Sequence, residues 1–425
     1  MSSAPEYDLR TFPAALAEGS ADAATREWLQ AESRGFHEPR MTAELVDRAA
    51  AEIAADGRRL TGAYPRGAAD ELPVATFAAY EKTLNVGGAE PLPAHLIAGV
   101  TVRPTHRRRG LLRRMMTADL QAARDAGLAI AALTVSEATI YRRFGFGAAY
   151  WVHEVSVTTG PRFQLTVRPA GRGELIEAAE LVHLAPGVFA AFHARTPGSV
   201  DRQQQYVNRS AGLSGPTGGD DATVRAAVHL DEGGAVDGYV SYRVHEGKTS
   251  TELELIDLVA AGDDAYLGLW ELLGSMDLVD SVRFHSAPAD DPLRWALADW
   301  RALRTTAQSD QLWIRILDVP RAFEARGYRQ EASGEIVLEV ADELGHAAGR
   351  YRLQVSDGGA TVTPAGDAPA DLELEAWALG SVYLGAVQPT VLAAAGQLRE
   401  RSDGAASRLG ALLAPVRPVY GITHF

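Results

Sequence analysis

Apolar and polar positions change rhythm several times along this chain. TREWLQAESRGF and MTAELVDRAAAEIAAD, within residues 20–56, read as helical. GRRLTGAYPRGAADELPVATFAAYEKTLNV then reads as two strands around a polar loop, near 58–64 and 74–86. HLIAGVTV (95–102) is a strongly β-prone run that Pro104 ends. From Arg109 the apolar residues Leu111, Leu112, Met115, Met116, Leu120 and Ala123 recur at three- and four-residue steps, as on one helix face. AGLAIAALTVS (126–136) has the composition of a buried strand. EATIYRRFGF reads as a short helix ending at Gly145, and AYWVHEVSVTT as a further strand. The order predicts a mixed α/β domain closing near residue 160.

A second αβ stretch opens at FQLTVRP (163–169) and runs to about 305. Its strands lie in GGAVDGYVSYRVHEG (233–247) and STELELIDLVAAG (250–262), and DDAYLGLWELLGSMDLV reads as a helix. A third segment starts at DQLWIRILDVPRAFEARGY (310–328) and continues through EIVLEV, RYRLQVSDGGATVTP and DLELEAWALGSVYLGA as strands, then helices. At 425 residues the chain exceeds one ordinary core. The expected domains are 1–160, 161–307 and 308–425. VRP recurs at 102–104 and 167–169, an echo too short to mark a duplication.

Composition narrows the class. Hydrophobic residues make up 46% and charged residues 23%, as in soluble globular proteins. No uninterrupted apolar run is long enough to span a bilayer, so no membrane partner is expected. MSSAPEYDLRTF lacks the basic region and apolar core of a signal peptide. A cytoplasmic location is therefore expected, with export by another route left open. The absence of cysteine excludes disulfides, thiolate metal sites and cysteine nucleophiles. The 11 histidines show neither HExxH nor clustered metal spacing, so no metal is expected; His106 reads as part of a loop and His153 as a strand residue.

Charge locates the candidate chemistry. The formal net charge is -14, yet residues 1–160 hold 18 basic and 19 acidic side chains, while the remaining 265 hold 23 and 36. Against that acidic background VRPTHRRRGLLRRMM, Val102 to Met116, packs six arginines and one histidine into fifteen residues. A strand entering a helix through a basic, glycine-containing turn leaves free backbone N–H groups at the helix N-terminus, which with the helix dipole suit a pyrophosphate. Arginine adds bidentate phosphate contacts. Gly110 is followed by Leu-Leu, so the turn is neither a Walker A loop nor a GxGxxG signature. The alternatives are a solvated basic helix face and a nucleic-acid patch. A nucleic-acid surface extends well beyond one turn, so no nucleic-acid partner is expected.

These residues resemble motif A of the GNAT acetyltransferases, whose Arg/Gln-x-x-Gly-x-Gly/Ala loop holds the pyrophosphate of acetyl-CoA. GVTVRPTHRRRGLLRRMM together with SEATIYRRFGFG is similar to the Eis-type (enhanced intracellular survival) N-acetyltransferases, and the likeness extends over the whole chain. The resemblance implies tandem GNAT-like α/β domains with mixed sheets, followed by a sterol-carrier-protein-like α+β domain. It implies acetyl-CoA as co-substrate, a small-molecule amine such as an aminoglycoside as acceptor, and a homohexamer built as a trimer of dimers. By position it implies that Val100, Thr101 and Val102 present backbone groups to the pantetheine arm and acetyl carbonyl. Arg108, Arg109, Gly110, Leu111, Leu112 and Arg113 would form the pyrophosphate loop, and Ser136 and Glu137 would border the cofactor channel. Tyr141 would protonate the departing CoA thiolate, and the α-carboxylate of Phe425 would act as general base. Thr423 and His424 fall at acceptor-pocket positions. The other GNAT arrangement, a Glu base in the fourth strand, finds no carboxylate in HLIAGVTV.

Elementary chemistry sets the same requirements. The cofactor must be anchored, the attacking amine must be neutral, the developing oxyanion needs a donor, and the thiolate leaves more easily beside an acid. Tyr has a reference pKa of about 10 and a terminal carboxylate one of about 3.3–3.7. The carboxylate is therefore a weak base in water, and needs desolvation or a relaying water. Without cysteine, transfer must be direct rather than through a cysteinyl acyl-enzyme. Spacing alone reads Tyr141 as an aromatic packed beside Phe144 and Phe146. Most C-termini are frayed and inert, although an aromatic last residue after PVYGITH suggests docking. Two further functions stay open: lipid or sterol binding by the third domain, and acetylation of lysines on another protein.

Overall fold

A computed structural model describes residues 7–67, 72–215, 218–248 and 250–425. The chain forms two compact units. One comprises the chain up to Tyr150 with Gln311–Val419 and Thr423–Phe425; the other is Trp151–Asp310 with Tyr420–Ile422.

The first unit begins with β1 (Tyr7–Pro13), a minimal hairpin of β2 (Leu16–Ala17) and β3 (Ser20–Ala21), and helices α1 (Ala23–Gly35) and α2 (Ala43–Ala55). Asp22 and Thr42 cap the two helices, accepting from the N–H groups of Thr25 and Leu45. Next come β4 (Arg59–Pro65), β5 (Ala75–Leu84), β6 (Leu92–Val102), α3 (Leu111–Asp125), β7 (Ile130–Leu133), α4 (Ala138–Tyr141) and β8 (Gly147–Thr158), which carries the chain out of this unit. Residues 68–71 of the polar loop expected between β4 and β5 lie outside the described residues. The sheet runs β1-β4-β5-β6-β7 and is antiparallel except for the β6/β7 pair. The expectation missed β1, a half-buried edge strand in register with β4 from Tyr7↔Pro65 to Pro13↔Arg59.

Cores lie on both faces of this sheet. On one, Leu111, Met115, Met116, Leu120 and Ala123 of α3 meet Phe77, Ala79 and Ile97. On the other, Trp28 and Leu29 of α1 and Val46, Ala50 and Ile53 of α2 meet Leu60 and Ala78. Alternation along β5 thus sends odd positions toward α3 and even positions toward α1 and α2.

The second unit contains β9 (Arg172–Ile176), α5 (Leu181–Arg195), α6 (Gln204–Ser210), β10 (Arg225–Leu230), β11 (Val236–Glu246), β12 (Thr251–Ala260), α7 (Asp263–Gly274), β13 (Ser281–Pro288), α8 (Pro292–Ala296) and the start of β14 (Leu303–Ile316). Its strand order is β9-β10-β11-β12-β13, continued by the later part of β8. Again one pair, β12/β13, is parallel, with α7 as its crossover. FQLTVRP forms no strand: Leu165 makes an isolated bridge to Leu297, and Thr166 N–H bonds Ala296 C=O at 2.8 Å. The sequence reading left 181–210 unassigned; Pro186 inside α5 disguises it.

The first unit is completed by the end of β14, α9 (Val319–Ala325), β15 (Gly334–Ala341), β16 (Gly349–Ser356), β17 (Gly359–Pro364), β18 (Leu372–Glu375), α10 (Ala376–Val382), α11 (Pro389–Ala394), β19 (Leu398–Glu400) and α12 (Ala405–Leu412). Trp313–Ile316 pairs antiparallel with β7, and β17-β16-β15-β18-β19 form a separate five-stranded sheet. The buried Arg315 on β14 binds Asp342, just beyond β15, at 2.5 Å and ties the two sheets together. No helix of the described residues is long and apolar enough to cross a membrane.

Candidate active site

β6 and β7 pair only from His95↔Ala131 to Ile97↔Leu133. β7 then ends, while β6 continues to Val102. The two strands part, and the edge of β6 beyond Ile97 loses its ladder partner. A bulge marks the same stretch: Thr76 faces Thr101 and Ala78 faces Ala98, so Phe77 alone opposes Gly99 and Val100. Gly99 has φ +59°, and a Cβ there would collide with the Glu32 carboxylate and the Trp28 ring. Thr76 Oγ1 donates to Gly99 C=O at 2.8 Å and shares a 2.6 Å hydrogen bond with Thr101 Oγ1. Of the three expected strand residues, Thr101 is buried, and Val100 and Val102 pack partly buried against the α3 core.

β6 leads into the basic loop. Pro104–His106 makes a single 3-10 turn, Arg108 takes the left-handed region at φ +61°, and Gly110 follows at φ +75° as the N-cap of α3. No side chain caps this helix. Its first internal bond is Arg114 N–H to Gly110 C=O at 3.0 Å, leaving the amides of Leu111, Leu112 and Arg113 without an acceptor inside the helix. Nothing lies within 4 Å of where a Gly110 Cβ would stand. Arg109 is braced by Tyr7 Oη (3.2 Å) and Thr105 C=O (3.2 Å), and Tyr7 Oη in turn meets His106 Nδ1 at 2.8 Å. Arg108 and Arg113 are exposed and make no hydrogen bond or ion pair among the described residues. Open amides, a helix N-terminus and free guanidinium groups fit a pyrophosphate.

Past β7 the chain carries the remaining candidates. Ser136 and Glu137 are exposed, and Glu137 stands at the N-cap of α4 without a side-chain cap bond. Tyr141 ends α4, is 9% exposed, and belongs to the α3-side core with its ring edge-on to Phe146 at 6.4 Å. Burial first, and the Glu137 carboxylate second, push its hydroxyl up to about 12. That exceeds the tyrosine reference value of about 10. The phenol stays protonated across the physiological range and acts most readily as a hydrogen-bond donor. Full transfer to a thiolate, whose thiol reference is about 8.5, runs uphill unless charge nearby changes.

Phe425 meets Thr134, the first residue beyond β7. Its N–H donates to Thr134 Oγ1 at 3.0 Å, and the Thr134 hydroxyl donates back to the Phe425 carboxylate. Gln311 Nε2 donates to the buried Thr423 C=O at 3.1 Å, and the Phe425 ring stands edge-on to Tyr80 at 6.1 Å. Tyr80 shares the parity of Ala78 on β5, so Phe425 lies on the α1 and α2 side of the sheet. No hydrogen bond joins it to Tyr141, which belongs to the other face.

Sequence reasoning passed over further residues on that face. Arg58 lies over the Tyr80 ring at 4.5 Å and 3.5 Å from Asp56. Glu32 sits against Gly99. Burial pushes its carboxyl up to about 7; Arg58 opposes this and Glu38 adds to it. One signal was available: Glu32 lies four residues after Trp28, on the helix face that packs inward.

A mixed sheet with one parallel pair, its α-helical crossover, a bulge and a splay beside a basic, glycine-containing turn define a GNAT-type acyltransferase fold. Residues 19–149 match a family described as an acetyltransferase (GNAT) domain, 198–316 match another of that description, and 319–421 match a sterol carrier protein domain. N-acetyltransferase Eis of Mycobacterium tuberculosis (strain CDC 1551) is 37% identical over 350 residues, 80% of this chain and 83% of the relative. An uncharacterized N-acetyltransferase of Streptomyces griseus is 38% identical over 399 residues, 91% and 94% of the two chains. The crystal structure of Eis1 from Mycobacterium abscessus has a TM-score of 0.82 at 29% identity, covering 98% of this chain and all of that one. The chain belongs to the Eis family of N-acetyltransferases and is an acetyl-CoA-dependent acyltransferase.

Proposed function

We propose that this enzyme moves the acetyl group of acetyl-CoA directly onto primary amines of polycationic small molecules, aminoglycosides among them. The observation that supports the proposal is the placement of two groups on opposite faces of the sheet whose strands part: Tyr141 in the α3-side core, and the Phe425 carboxylate bound to Thr134 just beyond β7.

In this reading the amides of Leu111, Leu112 and Arg113 hold the pyrophosphate with Arg108, Arg109 and Gly110. The freed edge of Val100, Thr101 and Val102 receives the pantetheine arm and donates to the acetyl oxygen as it gains charge. Ser136 and Glu137 border the channel. Tyr141 donates a hydrogen bond to the departing sulfur, and the Phe425 carboxylate draws in the amine and takes its proton. The acidic balance of residues 161–425 supports a polycationic acceptor. We further propose three functional domains at 1–160, 161–307 and 308–425, a cytoplasmic homohexamer arranged as a trimer of dimers, and no metal requirement.

Mass spectrometry of reactions with an aminoglycoside, a short polyamine, an arylamine and a lysine-rich peptide tests the acceptor class. Acetylated aminoglycoside or polyamine is the expected product. Acetylation of the peptide alone would replace this reading with protein lysine acetylation.

A further inference from the structure

Glu32 has no role in the scheme above, yet its position is unusual. Helix α1 approaches the bulge of β6 closely enough that Gly99 has no space for a Cβ beside Glu32 and Trp28, and Gly35 has none beside Thr101. These glycines bring the second half of α1 onto the backbone one and two residues from Val100 and Thr101. Glu32 is only partly exposed, and its carboxylate forms no hydrogen bond or ion pair among the described residues. It therefore presents an uncommitted carboxylate on the α1 side of the bulge, the face that also holds Tyr80 and Phe425.

We infer that Glu32 is the acceptor-recognising carboxylate of this site, binding the ammonium group of an incoming amine against the bulge at Gly99. This rests on the acetyl-transfer reading and adds a residue to it. A carboxylate partly withdrawn from water and left without a hydrogen-bond partner is destabilised in its charged form, and a cationic ligand offsets that. The facing charges fit the role. From α1 and the turn after it, Glu38 adds negative potential. Arg58, just before β4, is the opposing cation, and it is already engaged by Asp56 and the Tyr80 ring. Lys82 on β5 is held by Asp56 at 3.1 Å. The α1-facing residues of β6 carry no charge.

The sign of the pH effect follows. With its carboxyl raised to about 7, Glu32 is charged above that pH and neutral below it, so capture of a cationic amine strengthens as pH rises through about 7. Protonation by the bound ammonium is also easier for this carboxylate than for one near 4.

Steady-state kinetics with a diamine and with a hydrophobic monoamine, together with acetyl-CoA binding by calorimetry, test the inference in wild type, Glu32→Gln and Glu32→Asp. The expected result is a rise of about tenfold or more in KM for the diamine with Glu32→Gln, partial rescue by Glu32→Asp, and unchanged acetyl-CoA affinity. The limb of kcat/KM near pH 7 should disappear in Glu32→Gln. Wild-type activity with no change of KM or pH profile in Glu32→Gln would overturn the role of Glu32 alone. Wild type inert toward every amine would instead overturn the acetyl-transfer reading.

Discussion

In the proposed scheme Tyr141 concentrates the chemistry at the scale of one residue. Its hydroxyl is held protonated by burial and by Glu137, and it makes no hydrogen bond among the described residues. Tyr141→Phe keeps the ring against Phe146 and removes only the donor. Turnover should fall about 10²-fold or more, the scale of losing one positioned hydrogen-bond donor to developing charge, with acetyl-CoA affinity unchanged by calorimetry. Equal losses in both would make Tyr141 a packing residue. Thr134 offers the complementary test, since it both accepts from and donates to Phe425. Thr134→Val should lower kcat at an unchanged melting temperature; intact kcat would remove the Phe425 carboxylate from the reaction. Neither role was readable from spacing. Tyr141 beside Phe144 and Phe146 looks like core, and it is also core. Phe425 could be placed only by long-range contacts that no local pattern encodes.

At the scale of elements, α3 and its loop were the most legible part of the chain. Of the six stripe residues Leu111, Leu112, Met115, Met116, Leu120 and Ala123, all but Leu112 are buried, because a periodic stripe can face only one way. The bulge of β6 was not legible: HLIAGVTV looks like an uninterrupted strand, and only pairing against β5 shows that Gly99 and Val100 share one partner. The shortness of β7 was hidden too, since AGLAIAALTVS is apolar from Leu128 to Leu133 and again at Val135, while the strand spans only Ile130–Leu133. β1 was missed because a half-buried edge strand leaves a weak pattern. Gly99→Ala tests the bulge as an element. The new Cβ would take a left-handed backbone and meet Trp28 at 2.7 Å. A loss of about 2 kcal/mol or more is expected in chemical denaturation. A neutral substitution would mean that α1 does not press on the strand.

At the scale of the whole molecule, the two GNAT sheets repeat one plan with different chemistry. Both have a single parallel pair bridged by a helix, and both carry a bulge, at Thr76/Ala78 and at Ser241/Tyr242. The second crossover helix, α7, opens with Asp263 and Asp264 where α3 has its arginine-rich turn. Two carboxylates at a helix N-terminus occupy its positive end and repel phosphate. Calorimetry should therefore give one acetyl-CoA per chain, and a stoichiometry of two would contradict this division of labour. The family resemblance implied this shared plan, but no repeat in the residues showed it, because the plan resides in pairing order.

The central claim is acetyl transfer to amines across the parted strands. The most direct measurement is release of free CoA thiol from acetyl-CoA by the wild-type enzyme, scanned over aminoglycosides and short polyamines. The account predicts thiol release that depends on the amine and is strongest with polycations. Acetyl-CoA binding without thiol release toward any amine would contradict it.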